Sequence, residues 1–167
     1  MRWRSMAPLL AGAGLAIVAP LVAQESGIAV GKKAPAVVVH DLEGKPVDIG
    51  SYIGKKPILL EFWATWCERC EELLPRVRAA HAEYGDRVEF FGVNVAVNQT
   101  PDRVKRWVAA NTPPFTPLYD DEGTSTRAYE APTTSFVVVV DRAGKVAYTG
   151  TGGTQDISGV LRTVVTQ

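Results

Sequence analysis

The chain contains two cysteines, Cys67 and Cys70, set three positions apart. Thiols at that spacing can form a staple, bind a metal or pass electrons. A staple works chiefly by restricting the unfolded chain, and closing so short a loop restricts little compared with a long one. In exported proteins a staple is nonetheless the ordinary fate of paired cysteines. A structural zinc site needs about four ligands, and only His40 and His81 could join the pair. His81 lies roughly 16 Å beyond Cys70 along a helix at ~1.5 Å per residue. The spacing therefore favours redox chemistry. One thiolate attacks a disulfide to form a mixed disulfide, and the second thiol, one turn later, attacks the first and releases the product.

The flanking residues are suited to positioning such a pair. Residues 58–63 form an apolar strand interrupted only by Glu61. From Glu68 to about Tyr84, Leu73, Leu74, Val77, Ala80 and His81 recur at helical spacing. Cys67 thus falls where a strand gives way to a helix, and the free N–H groups and positive dipole end there favour a thiolate. Trp66 would shield one side of the pair. Pro75 removes one helical hydrogen bond and predicts a kink.

The remaining elements suggest an α/β domain. Residues 36–39 and 47–49 flank a Gly44-containing turn and read as a hairpin. A buried strand is expected over 88–95, and a helix over 101–110 with Thr100 as N-cap and Pro101 in its first turn. Pro113, Pro114 and Pro117 predict a short irregular or extended passage. A brief helix at 124–129 leads to Pro132. A second hairpin follows over 135–149, then a closing helix over 156–165 capped by Asp156. Gly150, Gly152 and Gly153 are expected in a loop at the edge of the cysteine site. The order βαβα then ββα describes a mixed sheet.

Composition excludes some classes. Of 167 residues, 46% are hydrophobic and 22% charged, which suits one globular domain. Basic and acidic residues balance at 18 each, with no basic cluster to neutralise nucleic-acid phosphates. The N-terminus differs in kind: Arg2 and Arg4 precede an apolar run from Ala7 to Ala23. Residues 1–23 are expected to be an export signal cleaved near Ala23, or alternatively an uncleaved membrane anchor. Loss of Arg2 and Arg4 with that segment leaves 16 basic against 18 acidic residues, a net charge of −2. Residues 24–33 are expected to link it to a domain spanning 34–167.

The run Glu61-Phe62-Trp63-Ala64-Thr65-Trp66-Cys67-Glu68-Arg69-Cys70, with Pro75 following, resembles the active-site segment of the thioredoxin superfamily. The N-terminal hairpin, the Val93-Asn94-Val95 strand and the inserted helix are similar to its TlpA/ResA-like branch of exported disulfide reductases. Tyr129-Glu130-Ala131-Pro132-Thr133-Thr134 resembles the superfamily's cis-proline loop. The resemblance implies a three-layer α/β/α thioredoxin-like fold and a protein thiol–disulfide oxidoreductase. It implies that Cys67 attacks and Cys70 resolves. Trp66, Glu68, Arg69, Ala131 and Pro132 are expected to meet the substrate, and Pro132 is expected to be cis, unless it merely ends a strand. Glu61 falls where thioredoxin has a buried acid, so it is either a desolvated proton acceptor for Cys70 or a partly solvated strand residue.

The Cys67–Cys70 disulfide is expected to suffice without a metal or other cofactor. Expected partners are extracytoplasmic thiol or disulfide proteins and a membrane electron donor. The protein is expected to be a monomer. Arg69 replaces the familiar proline before the second cysteine, and Leu73 stands where many cytochrome-maturation members carry Glu. Glu68, Glu71 and Glu72 outnumber Arg69 around the pair, which disfavours the thiolate and favours a reductant over an oxidant. The alternatives are a peroxiredoxin-type thiol peroxidase, whose threonine and arginine spacing Thr65 does not reproduce, and a non-catalytic binding module on the same fold.

Overall fold

The computed structural model describes residues 27–166. The expected signal or anchor, residues 1–23, lies outside them. At the centre is β3 (Ile58–Trp63), whose six residues are all buried. A strand covered on both faces reads as a continuous apolar run, as this one does apart from Glu61. It pairs in parallel with β4 (Glu89–Asn94) and antiparallel with β6 (Phe136–Val140). Beyond β4 lie β5 (Thr116–Tyr119), β1 (Val38–Asp41) and β2 (Pro46–Asp48), and beyond β6 lies β7 (Val146–Thr151). Among the described residues seven strands run β2-β1-β5-β4-β3-β6-β7 in one mixed sheet.

Alternation along β3 divides the core. Leu59 and Trp63 face α1 (Glu68–Tyr84), α2 (Pro101–Asn111) and α4 (Ile157–Val165). Ile58, Leu60 and Phe62 face the other way. There the cover is α3 (Thr124–Ala128), a 3-10 turn (Ile49–Tyr52) and the N-terminal stretch carrying Ile28, Ala34 and Val37. These are the three layers of a thioredoxin-like fold. Part of the stretch expected to link signal and domain packs directly on it, since Ile28 is buried.

The sequence-level caps are present. Thr100 accepts the N–H of Arg103, and Asp156 that of Gly159. Helix α1 continues through Pro75 without interruption. The proline-rich passage forms more structure than its composition suggests, because β5 reaches the sheet interior. Pro117 is tolerated there because β1 pairs only with Leu118 and Tyr119, so Pro117 has a strand neighbour on one side alone. Gly92, opposite Pro117, lets the Phe115 ring lie where a side chain would otherwise stand.

Candidate active site

The cysteine pair sits where β3 hands over to α1. Cys67 is the N-cap of α1, in extended conformation, and its Sγ accepts the N–H of Cys70 at 3.1 Å. The two sulfurs are joined as a disulfide, with the Cα atoms 5.2 Å apart. Cys67 is 5% exposed and Cys70 6%. An N-cap acceptor satisfies one of the N–H groups that a helix start leaves free. Here that acceptor is sulfur, so the same N–H supports negative charge on Cys67 once the disulfide opens.

Trp66, 45% exposed, stands beside the pair and donates its indole N–H to the carbonyl of Val97 at 2.9 Å. Val97 is 55% exposed. The loop carrying it turns through left-handed conformations at Ala96 and Asn98, with φ of 59° and 53°. Buried Asn94 steadies this loop by accepting the N–H of Ala96 at 3.1 Å. Gln99 fastens it to the cysteine turn by accepting the N–H of Thr65 at 3.0 Å.

Across from this loop lies the proline segment. Trp66, Val97, Thr126, Ala131, Pro132 and Thr134 line one groove of about 270 Å³, whose walls carry no charged side chain among the described residues. Three of the expected substrate residues, Trp66, Ala131 and Pro132, therefore share a surface. Glu68 and Arg69 are exposed on the first turn of α1 and do not line the groove.

One expectation for the proline segment is corrected. The Ala131–Pro132 bond is trans, as are all peptide bonds among the described residues. The reversal is made one residue earlier, where Glu130 adopts φ 51°, and trans is the lower-energy form for X–Pro by about 0.5–1 kcal/mol. Ala131, expected to meet the substrate, donates its N–H to the Thr126 carbonyl at 2.9 Å. Its carbonyl is the group left to accept.

The far end of the segment is held by Gln155, which is buried. Its Nε2 donates to the carbonyls of Ser135 at 3.1 Å and Gly152 at 2.7 Å, and its Oε1 accepts from the Tyr148 hydroxyl at 3.1 Å. Arg76 of α1 donates to the carbonyl of Gly153 at 3.1 Å. The glycine loop thus lies between α1 and the proline segment. At the near end, the buried Asp120 carboxylate accepts the N–H groups of Ser125 and Thr126 and the Thr126 hydroxyl.

Glu61 points to the face that Leu59 and Trp63 share, where α1 lies. It is buried, and Oε2 has no hydrogen-bond partner among the described residues. Burial raises its pKa to about 8, because the charged form loses its hydration. Glu61 is therefore desolvated and not a partly solvated strand residue.

Asn94, Gln99, Asp120, Ser135 and Gln155 were missed as site residues. Asn94 had a signal, a polar residue set between Val93 and Val95 at the end of a strand whose interior, Phe90 to Val93, is free of polar side chains. The others lie in loops where polar residues are ordinary, and only their burial or their partners mark them.

A strand-to-helix cysteine pair, a proline segment across a groove and a mixed sheet with N-terminal hairpin define a thioredoxin-like thiol–disulfide exchange protein. Residues 29–163 match the Redoxin family, and the chain belongs to it. Thiol-disulfide oxidoreductase ResA of Bacillus cereus is 30% identical over 140 residues, covering 83% of this chain and 79% of that protein. ResA of Geobacillus thermodenitrificans is 31% identical over 159 residues, covering 93% and 90%. The crystal structure of a putative thiol:disulfide interchange protein DsbE from Chlorobium tepidum superposes with a TM-score of 0.70 at 25% identity, covering 83% of this chain and 96% of that one. Within the thioredoxin superfamily the chain falls in the TlpA/ResA-like branch, and it is a protein thiol–disulfide oxidoreductase.

Proposed function

We propose that the protein is exported and reduces disulfides in extracytoplasmic protein clients, with the Cys67–Cys70 pair as its only electron carrier. The observation that carries this reading is the pair at the N-cap of α1, opening beside an uncharged groove. In the reduced protein the Cys67 thiolate attacks one sulfur of a client disulfide. The Cys67–client bond forms, the client disulfide breaks, and the expelled client thiolate takes up a proton. Cys70, giving its proton to the Glu61 carboxylate, then attacks Cys67 Sγ. The second client sulfur leaves and is protonated in turn. Two electrons have passed to the client, and the Cys67–Cys70 disulfide seen in the structure is restored.

Glu61 suits the proton step because its pKa of about 8 lets it take and return a proton near neutral pH. The client lies in the groove as an extended segment with an uncharged side chain against Trp66 and Val97, donating to the Ala131 carbonyl. Exposed Glu68, Glu71 and Glu72 around Arg69 favour the reducing direction. Arg2, Arg4 and the apolar run to Ala23 support export or membrane attachment, and with it supply of electrons from a membrane donor.

The test is insulin reduction with dithiothreitol, run beside peroxide consumption and a redox titration against glutathione. Insulin reduction with a midpoint near about −270 mV or below is expected. A midpoint near about −120 mV reverses the direction. Peroxide turnover without insulin reduction replaces the reading with a thiol peroxidase.

A further inference from the structure

The N-terminal stretch from Gly27 to Pro35 crosses the sheet face opposite α1, and its polar contacts with the rest of the chain fall in two groups. One is with the start of β7. Gly31 donates to the Val146 carbonyl, Val146 donates back to Lys32, and Ala34 donates to Gly144. The other is with Tyr129 and Glu130, the two residues that lead into Ala131 and Pro132. Ile28 donates its N–H to the Tyr129 carbonyl at 3.1 Å. The Tyr129 hydroxyl donates to the Pro35 carbonyl at 2.9 Å across 94 positions of sequence. Lys32 Nζ lies 3.6 Å from the Glu130 carboxylate.

Close packing accompanies these bonds. Gly27, at φ 106°, lies against the Phe136 ring where a β-carbon would overlap it. Tyr129 is fully buried, with its ring 6.0 Å from that of Phe62.

Glu130 is the residue that such pinning serves. A non-glycine residue in the left-handed region costs of order 1 kcal/mol and persists only where its surroundings over-determine it. Its conformation sets the direction in which Ala131 and Pro132 enter the groove. The lysine–glutamate pair is exposed and weak by itself. The buried Tyr129 hydroxyl and the Ile28 N–H are the contacts that hold.

We infer that residues 27–35 form a strap that positions the Ala131–Pro132 wall of the groove, making Tyr129 and Gly27 positioning residues for client recognition. The inference rests on the client-binding role proposed for the groove. Loosening the strap tilts the wall that meets an extended polypeptide. It leaves the Cys67 N-cap untouched, since that is built by β3 and α1. A small disulfide that meets only Cys67 does not sense the change.

The experiment compares three variants of the full chain. Tyr129→Phe removes only the hydroxyl. Gly27→Ala lifts the start of the strap from Phe136. Gly44→Ala strains the β1–β2 turn at φ 81°, away from both strap and groove, and serves as the control for general loss of stability. KM and kcat are measured for insulin reduction, together with the rate toward 5,5′-dithiobis(2-nitrobenzoate), and hydrogen exchange is followed at the Ile28 amide.

Tyr129→Phe and Gly27→Ala are expected to raise KM for insulin roughly fivefold, about the worth of one net hydrogen bond. The insulin kcat and the small-disulfide rate stay within about twofold, and Gly44→Ala leaves KM near the parent value. Faster exchange at Ile28 with an unchanged KM overturns the inference. So does an equal fall in both substrates, or an equal KM rise in Gly44→Ala. Should one variant fail to fold, the other decides by the same criteria. If the parent itself does not reduce insulin, the proposed function fails; if it does and the variants match it, only the strap fails.

Discussion

The Cys67 side of the groove and the Pro132 side differ in where their contacts come from. On the first side, the strand end, the turn, the N-cap and the helix lie within residues 58–84, and the sulfur of Cys67 is capped by an N–H three residues on. On the second, Tyr129 to Ser135 form no strand or helix of their own beyond the end of α3. They are held by Asp120 before them, Gln155 after them and Pro35 some ninety residues earlier. The cysteine turn thus rests mainly on local structure, and the wall proposed to grip a client rests on long-range packing. Mutations on the first side should act on every disulfide, and those on the second should discriminate between protein and small-molecule substrates.

The largest effect tests the first side directly. Cys67→Ser should reduce insulin turnover to the uncatalysed background, whereas Cys70→Ser should retain attack and accumulate the client as a mixed disulfide on a non-reducing gel. Retained turnover in Cys67→Ser would remove the cysteine turn from its role.

Next is Glu61, beneath α1. Between the ordinary carboxylate pKa and about 8, the folded chain keeps a proton that the unfolded chain has released. Stability therefore declines as pH rises through that window, by on the order of 5 kcal/mol in total. Glu61→Gln should flatten that decline in urea unfolding of the oxidised protein at pH 5, 7 and 9. It should also remove a pH dependence near 8 from the resolving step. An unaltered pH slope would mean that Glu61 is not held neutral.

A smaller effect belongs to the Pro132 side. Gln155→Ala leaves the Ser135 and Gly152 carbonyls and the Tyr148 hydroxyl without their shared partner, at a cost of about 2 kcal/mol in stability. Its KM for insulin should rise while the rate toward a small disulfide holds. Equal losses on both substrates would erase the distinction between the two sides.

The smallest effect is electrostatic. Replacing Glu68 and Glu71 together by glutamine should raise the midpoint potential by about 10 mV at low salt, since exposed charges contribute only tenths of a kcal/mol. The shift should fade in high salt as screening shortens.

How much could be read beforehand follows the same division. The helix over 68–84, the strand over 58–63 and the caps at Thr100 and Asp156 follow from periodicity and residue type, because each depends on neighbours within one or two turns. The proline segment was recognised only by its resemblance, and its peptide geometry was expected wrongly. Nothing in Glu130-Ala131-Pro132 announces that the reversal is made at Glu130 while the following bond stays trans. Strand β5 was missed as a strand because Pro117 argues against one until its one-sided pairing is known.

By itself, the order of residues determined the cysteine pair, its place at a helix start and the α/β class, since capping and hydrophobic spacing act over a few residues. Tertiary structure alone decided that Glu61 is buried with its Oε2 unpartnered among the described residues, that Trp66 and Pro132 face one groove, and that Pro35 reaches Tyr129. Burial and long-range hydrogen bonds depend on which elements meet in space, and no local pattern records those meetings.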